Sequence, residues 1–322
     1  MTTFYYVHPS FLDHDTGLGH PESALRLRAI DTVLKRPEFT GVIKKEAPRA
    51  NIDQIRLIHT QPHIDDVFKA IPKLGHANLD ADTVISPASG EAALHAAGAV
   101  CAAVDAVFAK ETDNAFCGVR PPGHHATPDA SMGFCVFNNI AIAAQHARKR
   151  HGINRVAIVD FDVHHGNGTQ AAFYKNPEVL YASTHQHPLY PGTGLTRETG
   201  VGNIFNVPLA PGSGSAEFRA AMRDKIVPAV DAFHPELVLV SAGFDAHRDD
   251  PLASLNLIEE DYAWVTRELL TLAKHHAGGR LVSALEGGYN LEALADSVAA
   301  HVRELLKANA SSQPAERGEN QA

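Results

Sequence analysis

Short runs of consecutive apolar residues alternate along the chain with longer segments in which apolar residues recur at helical spacing. The short runs are continuous rather than alternating with polar residues, which is typical of strands buried on both faces of a parallel sheet. From about residue 90 onward, the pattern predicts five strands, at 115–119, 155–161, 179–184, 236–241 and 280–285.

The longer segments have apolar residues three and four positions apart, which is the spacing of one face of a helix. They predict helices at 90–110, 138–150, 216–233, 258–276 and 291–308, with Asn138 and Asn290 in N-cap positions. Strands and helices in series require crossover connections, so the pattern predicts an α/β protein with a mostly parallel sheet and helices on both faces. Residues 309–322 have no apolar period, and we expect them to be disordered.

Composition and charge narrow the classes of function. The formal charge of −9 disfavours nucleic-acid binding and mildly favours cationic substrates. Cys101, Cys117 and Cys135 form no C-x-x-C pair, which argues against a disulfide framework and a zinc ribbon. The amino terminus lacks the features of a secretory signal, and no apolar run approaches the ~20 residues of a membrane helix. We therefore expect a cytoplasmic protein without a membrane segment.

Histidine is unusually frequent, with 20 copies, and many lie in loops beside glycine and proline. Neutral imidazole is the commonest metal ligand, and in open parallel sheets ligands bind outside the carboxyl ends of the strands. Each predicted strand is followed by a loop rich in candidate catalytic residues: RPPGHHATPDASMGFC, DVHHGNGT, HQHPLYPGTG, AGFDAHRDDPL and EGGYN. The sequence therefore predicts one functional site where these five loops meet.

Asp160, Asp162 and His164 are two positions apart, which in an extended segment would point all three side chains to one side. Asp245, after the fourth predicted strand, could add a further ligand. Two carboxylates, one imidazole and an open position would form a catalytic rather than a structural zinc site. The alternative is a buried network of ion pairs without a metal.

A zinc ion neutralised by two aspartates would acidify its water less, so a separate general base is needed. His124 and His125 follow a rigid Pro-Pro-Gly turn, and either could be that base. Tyr289 stands on a glycine-rich turn before a helix, where its phenol could donate a hydrogen bond to a developing oxyanion. Taken alone, the same residues would equally be solvated loop histidines and an ordinary turn tyrosine.

In this order, the motifs RPPGHH, GFC, DFDVHHGNGT, PGTG, SAGFDAHRDDPL and EGGYN resemble those of the zinc-dependent histone deacetylase superfamily. That superfamily also includes bacterial deacetylase-like amidohydrolases, acetylpolyamine amidohydrolases and acetoin-utilization proteins. The similarity covers about residues 15–305. It implies the arginase/deacetylase-like fold, a single α/β domain around an eight-stranded, mostly parallel sheet, and it assigns the catalytic domain to residues 1–308.

The resemblance also implies roles for individual residues. The zinc ligands match Asp162, His164 and Asp245, and the catalytic tyrosine matches Tyr289. His125 matches the histidine that takes a proton from the attacking water and returns it to the leaving amine.

His124 matches the neighbouring histidine, whose ring is oriented by the aspartate found here as Asp160. Asn167 fills the position that orients His125, where one branch of the family has aspartate. The chain thus resembles the class II branch.

Further residues match the family's substrate and potassium sites. Gly133, Phe134 and Tyr190 match the acyl-lysine tunnel, with Tyr190 where phenylalanine is usual. Arg26 lies in HPESALRLRAI, which resembles the inner-cavity segment H-P-E-x-P-x-R without its proline. Structural potassium would be bound through groups matching Asp160, Asp162, His164, Ser183 and Thr184, mostly by backbone carbonyls.

The activity implied is hydrolysis of an N-acyl amine, such as acetyl-lysine, to a carboxylate and a free amine. Acetylpolyamines and other small acyl amides are alternatives, although Leu252 replaces an acidic gate of polyamine-selective relatives, which disfavours polyamines. A ureohydrolase with two manganese ions would need more aspartates. A non-catalytic module that binds acyl-lysine is the remaining alternative, and the loss of Tyr289 would have been its signature. Neither the acyl group nor the oligomeric state follows from the sequence.

Overall fold

Eight parallel strands form the central sheet in the computed structural model of the protein, which describes residues 2–310. The strands, including a separate antiparallel pair β3–β4, are β1 (Thr3–Val7), β2 (Val42–Glu46), β3 (Ala77–Asn78), β4 (Val84–Ile85), β5 (Asn114–Cys117), β6 (Val156–Asp160), β7 (Val179–Gln186), β8 (Ile204–Leu209), β9 (Leu237–Ala242) and β10 (Leu281–Leu285). Across the central sheet their order is β2-β1-β5-β10-β9-β6-β7-β8, and every neighbouring pair is parallel.

Helices cover both faces of this sheet. They are α1 (Ser10–Asp13), α2 (Ala24–Val33), α3 (Ile52–Ile55), α4 (Gln61–Ala70), α5 (Ser89–Phe108), α6 (Asn139–His151), α7 (Asn167–Phe173), α8 (Ser215–Ala221), α9 (Val227–Phe233), α10 (Glu259–His276) and α11 (Leu291–Ala310). On one face α5 packs against α6, and on the other α11 packs against α10 and α2. The predicted single-domain α/β architecture with an eight-stranded parallel sheet is confirmed.

All five predicted strands lie in the central sheet, whereas β1, β2 and β8 were missed. The strands β2 and β8 are the two edges; β2 has only half-buried and exposed positions, and β8 mixes buried with half-buried ones. An edge strand needs only one buried side and gains from charged residues, such as Lys44 and Lys45 of β2, that block pairing with another chain. The continuous apolar pattern therefore does not mark edge strands.

The predicted helix 216–233 is one helical run in which Met222–Ile226 forms a π-helical segment between α8 and α9. Pro228 explains the interruption. Proline has no backbone N–H, and its ring would clash with the carbonyl four residues earlier in a regular α-helix. The wider π turn relieves that clash.

Two expectations about length need correction. The helix α5 has 20 residues and is long and apolar enough to cross a membrane, but 72% of its most apolar 18-residue stretch is buried inside the protein. It is a core helix, packed against α6 and the sheet. The helix α11 continues to Ala310, two residues past the predicted helix end at 308. The rest of the predicted tail, 311–322, lies outside the described residues.

Candidate active site

The three predicted zinc ligands lie together at the carboxyl ends of β6 and β9. The Nδ1 atom of His164 is 3.1 Å from Oδ1 of Asp162 and 3.1 Å from Oδ2 of Asp245. We call these three residues the ligand cluster. The strand β6 ends at Asp160, so the extended spacing does not continue, and Asp160 instead faces His124.

Backbone N–H groups fix both carboxylates of the ligand cluster. The N–H of Gly287 donates to Oδ2 of Asp162 at 2.7 Å, and the N–H of Val163 donates to Oδ1 of Asp245 at 2.8 Å. The other oxygen of each is the one near His164. The N–H of His164 also donates to Oδ1 of Asp162 at 2.8 Å, so the backbone orients both carboxylates with one oxygen of each toward the imidazole.

Charge in the ligand cluster favours a cation. Burial and the neighbouring Asp162 raise the pKa of Asp245 to about 7. Burial lowers the pKa of His164, but its hydrogen bonds to the two aspartates outweigh this and raise it to about 10. The two carboxylates therefore share the proton on Nδ1 of His164, and a divalent cation could take the place of that proton. Two carboxylates and one imidazole at this spacing are a donor set that suits Zn²⁺.

His124 and His125 both donate from Nδ1, to different partners. The Nδ1 atom of His124 is 3.0 Å from Oδ2 of Asp160, which also accepts from the hydroxyl of Tyr181. The Nδ1 atom of His125 is 2.8 Å from Oδ1 of Asn167. Because each partner accepts, Nδ1 carries the proton in both rings. The Nε2 atom of His125 is then free to accept a proton.

The two imidazoles have opposite electrostatic environments. Burial lowers the pKa of His125 well below its usual value, and His124 and His164 lower it further. Burial also lowers the pKa of His124, but the nearby carboxylates, of which Asp160 contributes most, outweigh burial and raise it. His124 therefore favours the charged form, and His125 the neutral form that a general base needs.

The carboxylate of Asp250 holds the turn that carries Tyr289. Its N–H donates to Oδ2 of Asp250 at 2.7 Å, and the other oxygen of Asp250 accepts from the N–H of Leu252 at 3.0 Å. Burial raises the pKa of the Tyr289 phenol well above its ordinary value, so the phenol keeps its proton and can donate it in a hydrogen bond. Asp250 is a positioning residue that the sequence analysis did not single out.

A cavity of ≈ 220 Å³ leads from the surface to these groups. It is lined by His125, His164 and Tyr289 together with Asp82, Gly133, Phe134, Leu189, Tyr190 and Leu252. The predicted tunnel residues and Leu252 are therefore all in its wall, and Tyr190 at 37% exposure stands at the entrance. Asp82, which the sequence analysis missed, accepts a hydrogen bond from the N–H of Gly133 at 3.1 Å.

Arg26 does not line this cavity but lies fully buried behind Tyr289, with its guanidinium 5.0 Å from the centre of the phenol ring. It donates to the carbonyl of Gly288 at 2.7 Å and pairs with Glu22 at 3.1 Å. Glu22 also accepts from Arg120, which begins the RPPGHH motif. These ion pairs connect the turn that carries the histidines to the turn that carries Tyr289.

Glu286 makes a second such connection. Its Oε2 atom accepts from the N–H groups of Gly123 and His124, at 2.7 and 3.1 Å. Its Oε1 atom accepts from the hydroxyl of Ser241 at 3.2 Å. Burial raises the pKa of Glu286 to about 7. The EGGYN motif contained this residue, but a glutamate whose partners are backbone N–H groups gives no pattern in the sequence.

The predicted potassium residues lie on the side of β6 and β7 next to the ligand cluster. Asp160 pairs in register with Ser183, and Ser183 and Thr184 are buried within β7. The Ser183 hydroxyl is 2.9 Å from Nδ1 of His185, which is fully buried. The Ser183 hydroxyl thus has a protein partner, and the predicted potassium contacts are mostly backbone carbonyls.

Comparison with known proteins decides between the families that share this kind of sheet. The family described as the histone deacetylase domain matches residues 20–305 of the chain. This chain belongs to the histone deacetylase family. It is therefore a deacetylase-type hydrolase of a family that acts on acetylated amines, and the ureohydrolase alternative is set aside.

Individual members of the family match over most of their length. The chain is 41% identical over 278 residues to a histone deacetylase-like amidohydrolase from Pseudomonas aeruginosa, covering 84% of this chain and 73% of that protein. It is 41% identical over 308 residues to histone deacetylase 14, chloroplastic, from Arabidopsis thaliana, covering 89% and 73%. The crystal structure of the HDA15 HD domain matches with a TM-score of 0.90 and 36% identity, covering 96% of this chain and 90% of that chain.

Proposed function

We propose that this histone deacetylase-family protein is a zinc-dependent amidohydrolase that cleaves N-acyl amines such as acetyl-lysine. The observation that carries the proposal is the ligand cluster beside His125 and Tyr289 at the inner end of one narrow cavity. A metal site, a neutral base and a phenol donor within one cavity are the three components that amide hydrolysis requires.

Asp162, His164 and Asp245 would hold the zinc ion, which would polarise the acyl carbonyl and make the attacking water more acidic. In the attack step, Nε2 of His125 accepts the proton of the water as its oxygen bonds to the acyl carbon. His125 then returns this proton to the nitrogen of the leaving amine as the C–N bond breaks. Asn167 keeps the other proton of His125 on Nδ1 throughout.

Tyr289 and His124 act on charge rather than on proton transfer. As negative charge develops on the acyl oxygen, the hydroxyl of Tyr289 donates a hydrogen bond to it. Charged His124, held by Asp160, stabilises negative charge near the water and opposes protonation of His125 before the reaction begins. Gly133, Phe134 and Tyr190 would flank the aliphatic stem of the substrate in the cavity.

The test is hydrolysis of an acetyl-lysine peptide, acetylputrescine and a trifluoroacetyl-lysine reporter by the zinc-loaded protein. We expect Tyr289→Phe to lower kcat roughly 100- to 1,000-fold, because one oxyanion donor is lost, with zinc content unchanged. Tyr174→Phe, at a partly exposed tyrosine on the surface, is the matched control and should keep full activity. A chelator should abolish turnover, and added zinc should restore it.

The ranking of the three substrates decides the substrate class. Leu252, in the cavity wall where an acidic gate would attract a polyamine, favours the lysine substrates over acetylputrescine. Faster turnover of acetylputrescine would establish the acetylpolyamine alternative. No turnover of any substrate by protein that contains zinc would contradict the proposal and favour a module that binds acyl-lysine.

Three further assignments belong to this proposal. A potassium ion would bind through the backbone at Asp160, Asp162, His164, Ser183 and Thr184. The catalytic domain would comprise residues 1–308. The three cysteines are free and buried, which supports a reducing compartment such as the cytoplasm.

A further inference from the structure

A second group of metal-ligand side chains lies at the opposite ends of the strands from the active site. It consists of Asp105 near the end of α5 and of His146 and His151 in the last turns of α6, which we call the helix-end cluster. Both helices end just before a strand begins, β5 after α5 and β6 after α6. The helix-end cluster therefore lies near the amino ends of the strands, whereas the ligand cluster lies at their carboxyl ends.

The three side chains converge on one point. The Nε2 atoms of His146 and His151 are 2.9 and 2.7 Å from the same oxygen, Oδ1 of Asp105. The ligand atoms of the three residues all lie within 4.8 Å of one another. Tetrahedral zinc with bonds of about 2.0–2.1 Å holds its ligand atoms about 3.3 Å apart, so an outward shift of a few tenths of an ångström would admit an ion.

The spacing is close to that of the ligand cluster, where His164 is 3.1 Å from each aspartate. The composition is inverted, with two imidazoles and one carboxylate instead of one imidazole and two carboxylates. Two histidines and one carboxylate are also a known ligand set with an open position for zinc and related transition metals.

The surroundings hold the ligands while leaving a route for an ion. The side chain of His146 is nearly buried at 9% exposure, whereas Asp105 is 42% exposed. The ring of His151 stacks on Phe108 at 4.3 Å between ring centres, which fixes its orientation. Burial would raise the pKa of Asp105, but the hydrogen bonds from the two histidines outweigh it and lower the pKa, so the carboxylate is charged.

The helix backbones add to the negative potential. The carboxyl ends of α5 and α6 meet here, and the carboxyl end of a helix carries a partial negative charge that favours cations. Lys149 and Arg150 in the last turn of α6 oppose this, and they line a surface groove that His146 also lines, together with Asn51, Asp53 and Gln54.

We propose that Asp105, His146 and His151 form a second metal site that binds one divalent transition-metal ion of the zinc type. The ion joins the end of α5 to the end of α6 and stabilises the fold without contacting the substrate. A fourth position remains open to water, because the described side chains supply three ligands.

The test counts metal ions in untagged, full-length protein that has been stripped with a chelator and titrated with Zn²⁺. We expect two tightly bound equivalents for the parent and one for Asp105→Asn or His151→Gln. Asp245→Ala, which removes the other site, should also retain one, and the double variant with Asp105→Asn should retain none. His76→Gln is the matched control, because His76 and Asp15 form an exposed pair at 2.8 Å without a second imidazole, and it should retain two.

A second measurement separates loss of the site from loss of the fold. Zinc should raise the Tm of Asp245→Ala but leave that of the double variant unchanged, and both should have native circular dichroism without metal. Deacetylation by Asp105→Asn should equal that of the parent once one zinc is bound. One equivalent in the parent that is lost with Asp245→Ala and kept with Asp105→Asn would overturn the second site while leaving the proposed function intact.

Discussion

Glycines beside the ligand cluster are as important for its geometry as the ligands. A Cβ atom on Gly287 would lie 1.9 Å from Oδ2 of Asp245 and 2.6 Å from Oδ2 of Asp162. A Cβ atom on Gly243 would lie 2.1 Å from the same oxygen of Asp162. Real side chains do not approach so closely, so these two positions require glycine. The carboxylates rest directly on backbone, which is why the N–H of Gly287 can bind one of them.

We therefore expect Gly287→Ala to lose the zinc of the active site. The added methyl group displaces Asp245, and both the metal content at that site and deacetylation should fall below detection. Gly214→Ala is the control, because the nearest atom to its Cβ is 3.4 Å away, an ordinary contact. Zinc content by atomic emission and turnover of an acetyl-lysine peptide measure the two effects. Normal zinc content in Gly287→Ala would show that the ligands tolerate displacement.

Phe134 shows that the cavity wall also constrains the backbone. Its φ of 67° follows a φ of 58° at Gly133, so two successive residues adopt the left-handed region. For a bulky residue this conformation costs about 1–2 kcal/mol, which the rest of the structure must supply. The strain places the Phe134 ring in the cavity wall, 5.9 Å from the ring of Tyr289.

Among the elements, α6 runs from the candidate active site toward the amino ends of the strands. At its start, Oδ1 of Asn138 accepts from the N–H of Ala141 at 3.0 Å, and Nδ2 donates to the carbonyl of Ala126 at 3.1 Å. Ala126 follows His125 in the chain. The same side chain thus caps the helix and fixes the loop that carries the candidate base.

We expect Asn138→Ala to lower the free energy of unfolding by about 2–4 kcal/mol, from the lost cap and the unpaired buried groups. Asn138→Asp is the matched variant, because it keeps the acceptor for Ala141 but not the donor to Ala126. Asn138→Asp should recover part of the stability. We expect kcat to be reduced in both variants, because both lose the donor to Ala126 that fixes the loop of the candidate base. Urea denaturation and turnover measure the two effects, and equal stability of the two variants would show that the cap contributes nothing.

The elements also show how far the sequence predicts the structure. Strands buried on both faces, such as β6 and β9, were predicted because their apolar runs are continuous. Edge strands were not, because their exposed positions break the run. Within the candidate site, the ligands, the two histidines and Tyr289 were found, whereas Glu22 and Asp250 were missed although both stand in quoted motifs. Their partners are distant in sequence, Arg120 for Glu22 and the N–H of Tyr289 for Asp250, and only the fold brings them together.

For the whole molecule, buried neutral histidines determine the response to acid. Burial lowers the pKa of His59, His185 and His301 to about 3 and that of His14 and His165 to about 4. The unfolded chain, with histidine pKa values near ~6.5, binds these protons at a higher pH than the folded chain does. Between these values the unfolded state holds more protons, so stability falls as the pH falls.

Below pH ~6.5, each such histidine lowers the free energy of unfolding by about 1.4 kcal/mol per unit of falling pH. His301, bonded to Thr266 and Ser283 between two helices and β10, is the clearest test. We expect His301→Gln to reduce the slope of unfolding free energy against pH by about this amount. His275→Gln, at an exposed position, should leave it unchanged. Denaturant titrations from about pH 8 to about pH 4 give the slopes, and parallel curves for parent and His301→Gln would contradict the prediction.

The order of the strands has a consequence for how the protein is made. The strand β10 is the last to be synthesised, yet it lies between β5 and β9 and joins the group β2-β1-β5 to the group β9-β6-β7-β8. Until β10 emerges from the ribosome, two apolar strands have open edges, which are the surfaces through which unfinished chains aggregate. Translation that stops after β9 and before residue 281 therefore yields two partial sheets rather than a smaller enzyme, and such chains depend on chaperones or on proteolysis.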